Sequence, residues 1–340
     1  MELMVGMVLG LIVVGGGTAV YLASSRSYSE VEQSAQLNEA TRFAEQLMSD
    51  ALRHVGFMGD VSPGSISTTD PSLPTITGDC DTLELSSVYA LGTSLYALTA
   101  TATGSAPDVG CFGTDDDNNA LAGTEILIMK SAIPVPISDG PRDGSARNNT
   151  LDYRGDAPLT DTLANTLQNK LWVMTNNETG ILFDGDGTVP SLTVDVPEGT
   201  AWEYRYEVYF ILDDEDADGK LMPSLGRFVL REGSGGAMEL EREELIPGVE
   251  DMRMRFGVDS DSDGDVDFYG TVADLQASGD WDNIIAIEIA MLLSTLEEDP
   301  NYQDTNTYNL VGIDVTPPAT RLQHRRAVVR SNVAMRNMRL

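Results

Sequence analysis

Basic residues are in short supply in this chain. Among its 340 residues are 21 lysines and arginines and 54 aspartates and glutamates, a formal net charge of −33. Binding nucleic acid through phosphate contacts needs the opposite balance, which argues against that role. Histidine is scarcer still: His54 and His324 are the two present, and neither has metal-ligand spacing. No G-x-S-x-G, H-E-x-x-H or phosphate-binding glycine loop occurs, so the sequence reads as a non-enzyme. Proline is missing before Pro63, and Lys and Arg are missing before Arg26. The first absence leaves nothing to break a long N-terminal helix. The second removes the basic n-region of a cleaved signal peptide. Disorder does not fit either, because hydrophobic residues make up 41%.

The proline-free stretch opens with an apolar run, Leu3 to Ala23, headed by one acid, Glu2. About 20 apolar residues at ~1.5 Å each cover the ~30 Å hydrocarbon core of a bilayer. Residues 3–23 are therefore expected to be transmembrane. Further on, Ala44, Leu47, Met48, Ala51, Leu52 and Val55 recur on one helical face. The expectation is one helix over residues 1–57, half in a membrane and half supporting a head domain, residues 58–340. Gly15, Gly16 and Gly17 are its weak point, at ~1 kcal/mol each against alanine. Small residues there also permit close helix approach in lipid. A plain signal anchor competes with a reading in which Glu2 has a function, since acids at membrane helices are costly.

The head is expected to be β-rich. Strand character is found over 82–90, 125–131, 171–174, 202–212, 227–232, 252–258, 284–293 and 326–335. A short helix is expected over 271–277, with Thr271 as N-cap and Asp274 three residues on. The fold class is α+β: a long N-terminal helix packed on a mostly antiparallel sheet. Cys80 and Cys111 read as a disulfide if the head is exported, and as two buried thiols otherwise.

The most specific local motif is acidic. Asp259, Asp261, Asp263, Asp265 and Asp267 alternate around Gly264, matching the first nine positions of an EF-hand-type calcium loop. The twelfth position is Gly270, where such a loop has a bidentate Glu, and a strand precedes the motif instead of a helix. Calcium competes here with a solvated acidic turn. Asp214, Asp216 and Asp218 form a weaker candidate, because Met222 falls at the ninth position; a charged hairpin turn is favoured. Arg154-Gly155-Asp156 matches an integrin-binding tripeptide and is read as a chance occurrence in a turn. Arg321, Arg325, Arg326, Arg330, Arg336 and Arg339 concentrate base at the C-terminus. They pair either with the domain's own acids, the preferred reading, or with an acidic neighbour.

Glu2-Leu3-Met4-Val5 and the glycine-spotted apolar run resemble the mature N-terminus of a type IV prepilin. Three later stretches resemble the PilW-type minor pilins: Ile246 to Asp259 with the acidic turn, the Trp281-led strand to Ser294, and Arg325 to Asn337. Prepilins carry a basic leader ending in glycine, which is therefore expected in the upstream coding sequence. The resemblance implies a low-abundance structural subunit that initiates the pilus and sits at or near its tip. It implies a single pass through the bacterial inner membrane, a periplasmic head, and later display on the pilus at the cell surface. Its partners would be other minor pilins, the major pilin, a tip adhesin subunit, the assembly platform and the prepilin peptidase. Glu2 would contact a neighbour's N-terminal amine. The alternatives are a type II secretion pseudopilin, or a membrane-anchored periplasmic adhesin or binding protein.

Overall fold

In the computed structural model the described residues are 2–70, 72–81, 84–100, 109–112, 120–136, 167–192, 194–213, 222–233 and 237–339. The first element, α1 (Glu2–His54), is one unbroken helix of 53 residues. It passes through Gly15–Gly17 without interruption, so the propensity cost there does not break it. From Gly6 to Glu32 every residue is exposed. The helix is long and apolar enough to cross a membrane. Its second half turns one face inward: Ala44, Met48, Leu52 and Val55 are buried, and Leu47 and Ala51 half-buried. These are the residues the helical period picks out. Each fully buried Met or Leu contributes ~2 kcal/mol of transfer free energy.

The head is built from fourteen described strands, mostly antiparallel, which makes the fold α+β. The larger sheet takes β1 (Ile66–Ser67), β2 (Leu95–Thr99), β3 (Glu125–Ala132), β4 (Leu171–Thr175) and β5 (Gly180–Asp184). It adds β6 (Thr200–Leu212), β7 (Ser224–Glu232) and β8 (Met238–Pro247). Its order is β1-β5-β4-β6-β3-β2, and β7 lies on the β4 side of β6, followed by β8. Only the two-residue β1–β5 contact is parallel among the named strands.

The smaller sheet takes β9 (Val249–Val258), β10 (Phe268–Thr271), β11 (Ile284–Ser294) and β14 (Arg326–Ala334), in the order β10-β9-β11-β14. A hairpin of β12 (Tyr308–Leu310) and β13 (Ile313–Val315) lies apart from it. The chain passes from one sheet to the other at Gly248, between β8 and β9. Its φ of +83° and the Ser294 carbonyl, 2.6 Å from where a Cβ would stand, leave room for no side chain there.

Both sheets and α1 share one core. β11 turns Ile287, Ile289, Met291 and Leu293 toward it, while Ala290 and Leu292 pack against Leu310 on the opposite face. Short α2 (Val272–Ser278) starts with the expected capping box: Thr271 Oγ1 accepts from Asp274 N–H, and the Asp274 carboxylate accepts from Thr271 N–H.

One expected strand is absent. Residues 84–90 form turns, and the next strand comes later, at β2. The backbone there is held by side chains and not by a ladder. Buried Lys130 donates to the carbonyls of Leu85 (2.8 Å) and Ala90 (2.6 Å). The hydroxyls of Tyr204 and Tyr206 donate to Val88 and Ser86, each at 2.7 Å. Four carbonyls satisfied from the neighbouring sheet remove the need for strand pairing. Cys80 and Cys111 are joined as a disulfide beside this segment. Among the expected features, Arg154–Asp156 and the Asp214, Asp216 and Asp218 turn lie outside the described residues.

Candidate functional site

Three features could carry function, and the fold places them apart. The anchor comes first. Glu2 begins α1 and heads its apolar half; its side chain lies outside the described residues. At the other end of α1, the C-terminal segment closes on the helix. Asn337 donates from Nδ2 to the carbonyls of Arg53 (3.1 Å) and Val55 (3.4 Å). These belong to the helix end, whose last carbonyls have no partner within the helix. Arg325 also reaches back to Glu30 of α1, 3.3 Å away.

The second feature is the acidic turn, the hairpin between β9 and β10. A strand precedes it, as expected, and Gly264 has a φ of +96° at the bend. The turn is knitted by its own backbone. Asp259 accepts from the N–H groups of Asp263 (3.2 Å) and Gly264 (2.9 Å). Asp263 accepts from Asp265 N–H, and Asp267 from both N–H and Oγ of Ser260. The Ser260 contacts hold the Asp267 carboxyl below the usual carboxylate range. Asp259, Asp261 and Asp267 each bring an oxygen within 4.8 Å of the others. That donor set suits a hard cation such as calcium. The arrangement does not extend to Asp263 and Asp265 in the same group. Gly270, in β10, supplies no carboxylate.

The third feature is a buried ionic cluster that sequence reading did not find. Glu250, at the start of β9, takes the guanidinium of Arg326 on both oxygens (2.6 and 2.9 Å) and Arg321 at 2.9 Å. Arg326 also meets Asp304 at 3.1 Å, and Arg321 donates to Ser294 Oγ. Arg321 and Asp304 are almost wholly enclosed. Burial alone would raise the Asp304 carboxyl, but the Tyr308 hydroxyl, Asn306 N–H and Arg326 hold it below the usual range. Arg325 pairs with Asp299 at 2.8 Å. Thus Arg321, Arg325 and Arg326 pair with the chain's own acids, as preferred from the sequence. The signal for this cluster lay in two quoted stretches, Val249-Glu250-Asp251 and Arg325-Arg326, which sequence distance keeps apart and the smaller sheet joins.

Together these features define an α+β head carried on one long helix whose outer half is apolar and exposed. Residues 208–337 match the family model described as PilW, Type IV Pilus-assembly protein W. The match runs from the middle of β6 to Asn337, through the acidic turn and the Glu250 cluster. It supports a type IV pilus-associated protein, acting with other components of that assembly. No curated protein and no solved structure matches the chain.

Proposed function

We propose that this chain is a minor pilin-like structural subunit that helps to initiate type IV pilus assembly and resides at or near the filament tip. The observation that carries the reading is an unbroken α1, apolar and exposed in its first half, joined to a head whose residues 208–337 match a pilus-assembly family. Before assembly the chain waits in the inner membrane with its head in the periplasm. Its partners are other minor pilins, the major pilin, a tip adhesin subunit, the assembly platform and the prepilin peptidase. In the filament Glu2 pairs with a neighbour's N-terminal amine. That pairing offsets the cost of a carboxylate among apolar helices. The acidic turn binds calcium weakly through Asp259, Asp261 and Asp267, helped by Asp263 and the carbonyl of Asp265.

The test is Glu2→Ala in a host with its other pilus genes intact. Surface pili, sheared and quantified, should fall severalfold while the head keeps its melting temperature. Normal piliation would count against the assembly role.

A further inference from the structure

The long strand β6 has a gap along one edge. On one side it pairs with β3 from Tyr204 to Tyr209. On the other, β4 pairs with residues 200–203 and β7 with residues 207–212. Tyr204, Arg205 and Tyr206 therefore have no strand opposite them on that side. β7 runs on to Glu232, but past Val229 it pairs with β8 alone. The result is a fork between β4 and β7, a groove of about 470 Å³. An unpaired strand edge offers backbone donors and acceptors to another chain.

The side chains say what kind of chain. Tyr204 and Tyr206 point inward and are used by the turn at 84–90. Arg205 points outward and is exposed. Glu203 and Glu207 flank it on the same face. Each of these acids already has a cation: Lys170 sits 2.7 Å from Glu203, and Arg227 sits 2.8 Å from Glu207. Arg227 and Arg231 also share Glu243. Among the described residues Arg205 makes no hydrogen bond or ion pair. In a chain of net charge −33 it is a cation whose nearest acids are taken.

We propose that this fork is a docking site for an extended acidic segment of another polypeptide. The segment adds hydrogen bonds to the open edge of β6 and sets a carboxylate on Arg205. A neutral segment would leave Arg205 unpaired, and a basic one would be repelled. The open stretch spans about 10 Å, so the contact is short and sensitive to salt. This inference stands apart from the pilus reading, since it rests on strand pairing and charge alone.

The test is fluorescence anisotropy on the full chain in neutral detergent micelles. The probe is a labelled peptide of about eight residues alternating threonine and glutamate, with a glutamine counterpart as control. The glutamate peptide should bind about tenfold tighter than the glutamine peptide, and lose that advantage near 0.5 M salt. Arg205→Lys should keep most of the preference and Arg205→Glu should abolish it. Because Arg205 is exposed, neither variant should alter the melting temperature. Equal binding of the two peptides would make the fork a general strand acceptor and overturn the acidic partner. Unchanged binding by Arg205→Glu would place the contact elsewhere and overturn the site.

Discussion

Glu125 offers a sharp test of how the two sheets are joined. It opens β3 in the larger sheet, is 2% exposed, and accepts a hydrogen bond of 2.6 Å from Met254 N–H in β9 of the smaller sheet. The bond exists because β10 is short: it pairs with residues 255–258 of β9 and leaves Met254 to be satisfied from elsewhere. Burial pushes the Glu125 carboxyl up to about 7, against the opposing pull of Arg253 and the Met254 N–H. The neutral acid is thus the form that folding favours. Its contribution to stability is fully present below the unfolded value and is lost as pH rises through about 7. A shift of this size corresponds to ~3 kcal/mol.

Lys130, also on β3, has the opposite slope. Burial lowers its ammonium to about 7, so stability is gained as pH rises from there toward the ordinary lysine value. Comparing wild type with Glu125→Gln cancels that contribution. Glutamine keeps an acceptor for Met254 N–H and cannot ionise. The two proteins should be alike near pH ~4.5, and the variant ~1–3 kcal/mol more stable near pH ~8. Denaturant midpoints of the full chain in micelles would measure this. A difference that does not change with pH would refute the reasoning.

Further outcomes follow from other parts of the structure. Glu250→Ala leaves the buried Arg326 guanidinium without its bidentate partner and should cost ~3–5 kcal/mol, read as a loss of thermal stability. Reducing Cys80–Cys111 opens a loop with a sequence separation of 31 and should cost ~3–4 kcal/mol in the chain-entropy picture, seen by repeating the melt with dithiothreitol. Calcium at about ten times its dissociation constant should stabilise by ~1.4 kcal/mol. An Asp259→Asn, Asp261→Asn double variant should remove the resulting rise in melting temperature. An unchanged melt at millimolar calcium would sink the calcium proposal.

How much could be read from the chain depends on the range of the forces involved. The Thr271–Asp274 capping box and the acidic turn were legible because their hydrogen bonds close within a few residues. The Cys80–Cys111 pairing was legible because there are two cysteines. The turns at 84–90 were not. Their alternating pattern suggested a strand, but carbonyls there are held by Lys130, Tyr204 and Tyr206, at separations up to 120 residues. β8 escaped as well: its run of glutamates looks unlike a core strand, and it is an edge where charge is the usual protection. The small hairpin of β12 and β13 gave too few residues for a pattern.

The sequence by itself determined the long helix, its membrane-length apolar half, its buried face and the antiparallel character of the head. Those depend on local period and on hydrophobicity, which every residue carries with it. Only the tertiary structure decided that Glu250 meets Arg321 and Arg326, that Glu125 joins the two sheets, that Asn337 closes the end of α1, and that β6 is left open between β4 and β7. These are matters of which distant groups meet once the core has formed. Burial then raises the stakes of each meeting, because an enclosed charge or N–H without a partner costs more than most surface interactions return.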